Sequence, residues 1–294
     1  MSVENTPDLI LHESMIAIPL SQGQAIFKKM SEKLNIGIIG LGLIGGSIER
    51  RLGLKPDLYE VKAISKSQNR DYRIEDLKNE DIVFICSPQS QVNNFLDQIA
   101  LLQSKDDTAF VKTIITDVAS TKKRIKHEAE LLGIRNFVGG HPMAGTEKQG
   151  YEASFPELFE GAKWILDSRP GAYPELEKLI TNELGAKIEY IDADTHDRAV
   201  AMTSHLPLVL SLILAKLGMD IPSAKKTIGP GFKGMVRLAA GNVSMGAEII
   251  DLNRNNINEL WQDYKAEVEA LLAAHGDDLE RELKSIKDKL ELDV

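Results

Sequence analysis

Short apolar runs alternate with longer amphipathic stretches through the first two thirds of the chain. Residues 35–40 (NIGIIG) are apolar at consecutive positions and end in glycine, the pattern of a strand covered on both faces. The same reading predicts strands over residues 61–65, 81–86, 113–117, 136–140, 163–167 and 186–191. Apolar positions at helical spacing predict helices over residues 43–54, 89–102, 120–132 and 173–184. Strands alternating with helices imply a doubly wound parallel sheet, an α/β domain. The stretch between Ser65 and Asp81 is too short for a helix and its two loops, so the second β–α unit is expected to be trimmed.

The pattern changes near Asp192. From Thr195 onward only helical periodicity is found, which predicts an all-α second domain. The chain thus divides into an N-terminal extension (residues 1–33), an α/β domain (34–192) and a helical domain (193–294). Asp194 or Thr195 is a suitable N-cap for the first long helix. The longest apolar run, residues 206–217, contains Pro207, Ser211 and Lys216 and reads as a buried helix rather than a membrane span. A helical domain rich in Leu, Ile, Ala and Met suits pairing with a second copy, a homodimer, with a self-contained bundle as the alternative. Residues 22–33 form either a short amphipathic helix or a partly ordered tail, and residues 267–294 read as charged helix.

Composition narrows the function classes. Hydrophobic residues make up 43% and charged residues 27% of the 294 positions, as in ordinary globular proteins. The net charge of −9 argues against nonspecific nucleic-acid binding, which needs a basic face. The single cysteine, Cys86, cannot form an internal disulfide and fits a reducing compartment. Glu4, Asp8 and Glu13 precede any lysine or arginine, the wrong charge order for a signal or transit peptide. A cytoplasmic protein with no membrane segment is therefore expected.

Chemistry concentrates in a few motifs. Gly40-Leu41-Gly42-Leu43-Ile44-Gly45 is a GxGxxG turn between a predicted strand and a predicted helix, the arrangement that binds a dinucleotide pyrophosphate in Rossmann-type domains. About twenty residues on, where an acid would hold an NAD ribose, stand Ser65, Lys66, Ser67 and Arg70. A hydroxyl and two cations suit a 2′-phosphate, so NADP is expected, with NAD as the alternative. Ser87 and Asp117, at the ends of neighbouring strands, are placed with the cofactor residues.

GGHPMAGT at residues 139–146 puts His141 at the carboxyl end of a predicted strand, where ligands sit in open α/β sheets. Ser120 either caps the helix after Asp117 or turns its hydroxyl toward that crevice. His196 and His205 lie nine residues apart, so on a regular helix they point to roughly opposite sides. No HExxH or CxxC pattern exists, and no metal is expected. Pro207 should bend the helix near His205. Arg237, after the glycine-rich GPGFKG turn, is able to clamp a carboxylate.

Together GLGLIGGS (40–47), TDVASTK (116–122), GGHPMAGT (139–146), HDRAV…SHLP (196–207) and GF…R (231–237) resemble the prephenate and arogenate dehydrogenase family of tyrosine biosynthesis. The resemblance spans roughly residues 35–260. It implies a Rossmann domain followed by an all-α dimerisation domain. It further implies oxidative decarboxylation of prephenate or arogenate with hydride transfer to NAD(P), giving 4-hydroxyphenylpyruvate or tyrosine. By the same resemblance His141 takes the ring hydroxyl proton, Ser120 orients that hydroxyl, His205 lines the substrate side and Arg237 binds a substrate carboxylate. Gly234 stands where the family often has an acid. No chorismate mutase region or regulatory domain accompanies these motifs. A catalytically silent NADP-binding sensor and a β-hydroxyacid-type reductase are the competing readings; the latter's helix lysine has no clear counterpart here.

Overall fold

The apolar runs become strands that alternate their side chains between two layers. The computed structural model describes residues 33–293. The extension and the helix expected over residues 22–33 lie outside these, apart from Lys33. Strands β1 (Leu34–Ile39), β2 (Tyr59–Ser65), β3 (Arg70–Asp71), β4 (Ile82–Ile85), β5 (Ile114–Asp117) and β6 (Phe137–Val138) form one sheet. Its order is β3-β2-β1-β4-β5-β6, parallel except for β3. Successive residues serve opposite faces. Ile38 and Phe84 join one core with Ile48, Leu52 and Trp164, while Ile39, Val83 and Ile85 join the other with Leu96, Ile99 and Phe110. Burial on both faces is why these strands lack polar alternation.

Helix α1 (Leu43–Gly53) follows β1, α2 (Gln89–Lys105) follows β4, and α3 (Lys123–Leu131) follows β5. After β2 there is only a hairpin back through β3 and one 3₁₀ turn (Ile74–Leu77). The second unit is trimmed as the spacing predicts, and Asn69 takes a left-handed conformation (φ 49°) to close the hairpin.

One expectation is corrected. Residues 136–140 do not form a single strand in a continuous parallel sheet. The chain breaks at Gly139, and β7 (Gly140–Pro142) pairs antiparallel with β8 (Lys163–Leu166). β8 in turn pairs parallel with β9 (Lys187–Tyr190) in a separate three-stranded sheet. Glycine is required at the junction: a Cβ on Gly140 would stand 2.6 Å from the Asp117 carbonyl oxygen and 2.9 Å from Thr116 Oγ1. Trp164 of β8 fastens the small sheet to the large one, with ring centroids 6.3 Å from Phe84 and 5.2 Å from Phe159. A short helix α4 (Pro174–Lys178), running on into a π turn, leads to β9.

After β9 the described residues are helical: α5 (Ala193–Val200), α6 (Leu206–Met219), α7 (Pro230–Met235), α8 (Val243–Leu252), α9 (Arg254–Ala273) and α10 (Gly276–Asp293). The N-cap of α5 is Asp192, not Asp194 or Thr195; its carboxylate accepts the Thr195 amide at 3.0 Å. The charged tail is two helices, broken before Gly276 (φ 53°). The apolar run over residues 206–217, in α6, is not the buried helix expected of it. Only Leu206 and Ser211 are buried in it, while Leu212, Ile213, Leu214 and Leu217 are exposed. By length and composition the run Ala193–Met219 would suit a membrane. Its first half, however, is tied by hydrogen bonds to α3 and to the start of α9.

Replacing Gly140 with alanine should therefore destabilise the fold by about 1–3 kcal/mol, the usual cost of overpacking, read as a lower urea midpoint. An unchanged midpoint would show that the two sheets do not depend on this close approach.

Candidate active site

The glycine turn after β1 is shaped for a phosphate. Gly40 adopts φ 102° and donates its N–H to the Ile64 carbonyl at 2.8 Å. A Cβ at Gly45 would lie 2.0 Å from the Gly40 oxygen, whereas nothing lies within 4 Å of the Cβ position of Gly42. The turn is thus closed on the protein side and open on the other. α1 begins with no side-chain cap and no acid in its first turn. Its first N–H groups, at Leu43 and Ile44, are free to meet an anion. The Ser87 hydroxyl oxygen is buried without a partner, and the Ser87 amide would lie 2.9 Å from a Cβ at Gly40. An open backbone cradle beside an orphaned hydroxyl fits a dinucleotide.

Ser65, Lys66, Ser67 and Arg70 gather on the β2–β3 hairpin. Ser65 and Ser67 share a hydrogen bond at 3.2 Å, Arg70 pairs with Glu49 of α1 at 3.3 Å, and Lys66 is exposed. The Asp117 carboxylate, expected among the cofactor residues, is instead turned into the protein. It is fully buried, and both carboxylate oxygens are used within the protein. Oδ1 accepts the Gly140 amide at 3.2 Å, and Oδ2 accepts the Ala119 amide at 2.9 Å and the Lys122 ammonium. Lys122, equally buried, also donates to the Gly140 carbonyl at 2.7 Å. The ion pair grips Gly140 by both its N–H and its C=O, one residue before His141. Burial pulls the Lys122 ammonium below its ordinary pKa, while Asp117 beside it acts in the opposite direction.

His141 is joined to the helical domain. Its Nδ1 lies 2.9 Å from His196 Nε2, and His196 Nδ1 lies 2.8 Å from Asp197 Oδ1. Asp197 also accepts the amides of Lys122 (2.7 Å) and Lys123 (3.0 Å). It thereby caps α3 from another domain, which leaves Ser120 without the first of its two expected tasks. α3 begins at Lys123, not Ser120. Ser120 is half-buried in the β5–α3 loop, and its hydroxyl has no hydrogen-bond partner among the described residues.

His196 and His205 do not diverge as a regular helix would require. A π turn over Ala201–His205, just before Pro207, changes the phase. Both histidines are buried around Asp197 and Asn253. The Asn253 amide nitrogen donates to the Asp197 carbonyl at 2.7 Å and to His205 Nδ1 at 2.9 Å. An NH₂ group is only a donor, so His205 Nδ1 is the acceptor and its proton sits on Nε2. Burial lowers the pKa of His205 to about 4. Burial, helped by Lys122, His196 and His205, holds His141 well below its ordinary value. Both are neutral at pH 7. Arg237 begins a 3₁₀ turn, is exposed, and shares no hydrogen bond or ion pair with these histidines. Burial, with Asp117 nearby, pushes the Cys86 thiol up, so it stays protonated. Lys122, Asp197 and Asn253 were not singled out from sequence. The signal for Asp197 was present beside His196, but its partners are far away along the chain. No group of acids, histidines and cysteine suited to a metal occurs among the described residues.

Comparison with known proteins agrees with this architecture. The family model "Prephenate dehydrogenase, nucleotide-binding domain" matches residues 59–190, and "Prephenate dehydrogenase, dimerization domain" matches residues 192–286. The chain is 32% identical to a prephenate dehydrogenase of Lactococcus lactis, over 80% of this chain and 69% of the relative. It is 31% identical to a cyclohexadienyl dehydrogenase of Zymomonas mobilis, over 86% and 87%. Among solved structures, Synechocystis arogenate dehydrogenase superposes with a TM-score of 0.76 at 25% identity, covering 88% of this chain and all (100%) of that one. Prephenate dehydrogenase from A. aeolicus, in complex with hydroxyphenyl propionate and NAD+, gives 0.75 at 25% identity, over 89% and 99%. The chain belongs to the prephenate dehydrogenase family.

Proposed function

We propose that this protein oxidises and decarboxylates prephenate or arogenate, with NADP preferred over NAD. The observation that carries the reading is a neutral, hydrogen-bonded His141 on β7, in a domain whose first turn is built for a dinucleotide. When bound, the nicotinamide supplies the hydride acceptor. A neutral imidazole is a suitable acceptor for the ring hydroxyl proton as the carbon beneath it is oxidised. Loss of the ring carboxylate as carbon dioxide makes the ring aromatic, and the held proton returns to the phenolate oxygen. The unpartnered Ser120 hydroxyl is available to orient the substrate hydroxyl. His205, fixed with its proton on Nε2, offers the substrate side a donor and no base. Arg237, without an ion pair among the described residues, is available for a substrate carboxylate. Lys66 and Arg70 on the hairpin favour a 2′-phosphate.

The functional unit in this reading is a homodimer in which α6 is covered by a second copy. Its exposed leucines and isoleucine support this, together with the match of residues 192–286 to a dimerization domain. A cytoplasmic location accords with a single cysteine, which cannot form an internal disulfide.

Initial rates with prephenate and with arogenate, each against NAD and NADP, test the reaction. Turnover is expected, fastest with NADP, and silence from protein that binds NADPH would favour a sensor. His141→Ala should lower turnover by roughly 10²- to 10⁴-fold with little change in cofactor affinity, and an unchanged rate would remove its role. Ile213→Glu should convert the dimer to a monomer in sedimentation velocity; a persistent dimer would place the interface elsewhere. Stability should also depend on pH. His205 binds a proton at about 6.5 when unfolded but only at about 4 when folded. Its contribution is therefore fully present above about pH 6.5 and is lost as pH falls toward 4. His205→Gln should flatten that part of a urea-midpoint profile, and an equally steep profile would assign the dependence to other groups.

A further inference from the structure

The assignment of His141 as the base leaves open which of its two nitrogens is basic, and the surrounding hydrogen bonds decide it. We propose that His196 and Asp197 are positioning residues for His141, a carboxylate–imidazole–imidazole chain that holds His141 with its proton on Nδ1 and leaves Nε2 as the basic nitrogen. The inference rests on the reading of His141 as the base and deepens it.

The chain starts at the carboxylate. An ionised Asp197 only accepts hydrogen bonds, so at 2.8 Å His196 Nδ1 must be the donor. A neutral His196 then has a lone pair at Nε2, and at 2.9 Å His141 Nδ1 must donate to it. Every other neutral arrangement sets two lone pairs, or two N–H groups, against each other at hydrogen-bond distance. Asp197 cannot turn away. Its oxygens are also held by the Lys122 and Lys123 amides at the start of α3, where the helix dipole favours a negative charge. Its carbonyl is held by Asn253. The two imidazole rings meet edge to face, with centroids 5.1 Å apart and planes at 77°.

The other groups around the pair reinforce the arrangement. The Lys122 ammonium is bound to Asp117 and the Gly140 carbonyl. His205 is locked by Asn253 with its own proton on Nε2. Neither offers His141 a competing acceptor. When His141 takes a proton at Nε2, its Nδ1–H stays bonded to His196, and the negative charge of Asp197 lies at the far end of the chain. His196 touches neither substrate nor cofactor in this account; it acts through His141.

Long-range ¹H–¹⁵N NMR on protein labelled at histidine reads the tautomer directly, at a pH where His141 is neutral and without turnover. The His141 signals are identified by their loss in His141→Ala. In the native protein Nε2 should give the signal of an unprotonated ring nitrogen and Nδ1 that of a protonated one. A native spectrum with the proton on Nε2 overturns the proposal. Kinetics supply a second readout. His196→Ala should lower kcat by about 10²-fold, the scale of lost or misdirected general-base catalysis, with KM for the dinucleotide unchanged. His196→Gln, whose amide oxygen still accepts from Nδ1–H, should recover about 10-fold or more of that loss. Equal losses in the two variants overturn the positioning role. Should the alanine variant fail to fold, the native spectrum and the glutamine variant decide. A protein with the expected spectrum that turns over neither prephenate nor arogenate would refute the proposed reaction and leave the positioning of His141 standing.

Discussion

The buried pair of Lys122 and Asp117 is the contact on which the site geometry depends. Both side chains are removed from water, so each charge is tolerable only because the other is present. Breaking such a pair from one side leaves an uncompensated charge, at a cost of about 3–5 kcal/mol. An apolar pair of equal volume could fill the same space, but it could not hold the backbone N–H and C=O of Gly140. Here the two ions take the N–H and the C=O of Gly140 and so fix the direction in which the chain leaves the main sheet. The split between β6 and β7, the antiparallel start of the small sheet and the placement of His141 all follow from that grip.

Three histidines then acquire three different characters from their hydrogen-bond partners. His196 faces a carboxylate, His205 faces an amide NH₂, and His141 faces another imidazole. The imidazole group is the same in each, yet the neighbours dictate which nitrogen donates. Burial keeps His141 and His205 uncharged at neutral pH, so hydrogen-bond direction, not ionisation, distinguishes these two.

Much of this was legible along the chain because it is local. Consecutive apolar residues such as Ile38-Ile39 and Val83-Phe84 announce strands covered on both sides, and GLGLIG announces its own turn. The short interval after Ser65 correctly predicted a missing helix. What could not be read depends on partners distant in sequence. Ser120 looked like the start of α3, but the cap comes from Asp197. Asp117 looked like a ligand-facing acid at a strand end, but Lys122 claims it. The nine residues between His196 and His205 implied opposite faces only if the helix stayed regular, and the π turn before Pro207 removed that condition. In α6, periodicity reveals that a face seeks cover without saying whether the cover belongs to the same molecule.

Asp197 also bears on how this molecule could be recombined. By secondary structure the α/β and helical domains meet between Tyr190 and Ala193, which invites treating them as interchangeable modules. The hydrogen-bond chain ignores that seam: the imidazole at residue 141 lies on one side, and the imidazole and carboxylate bonded in series to it lie on the other. The same carboxylate caps a helix of the first domain, and Asn253, much later in the chain, steadies it. A chimera joined at the seam from two homologues would inherit a complete nucleotide turn and a complete helical domain. It would still have to match residues 122, 123, 141, 196, 197 and 253 as a set, so exchange of whole domains is constrained by a network of hydrogen bonds rather than by either domain's own fold.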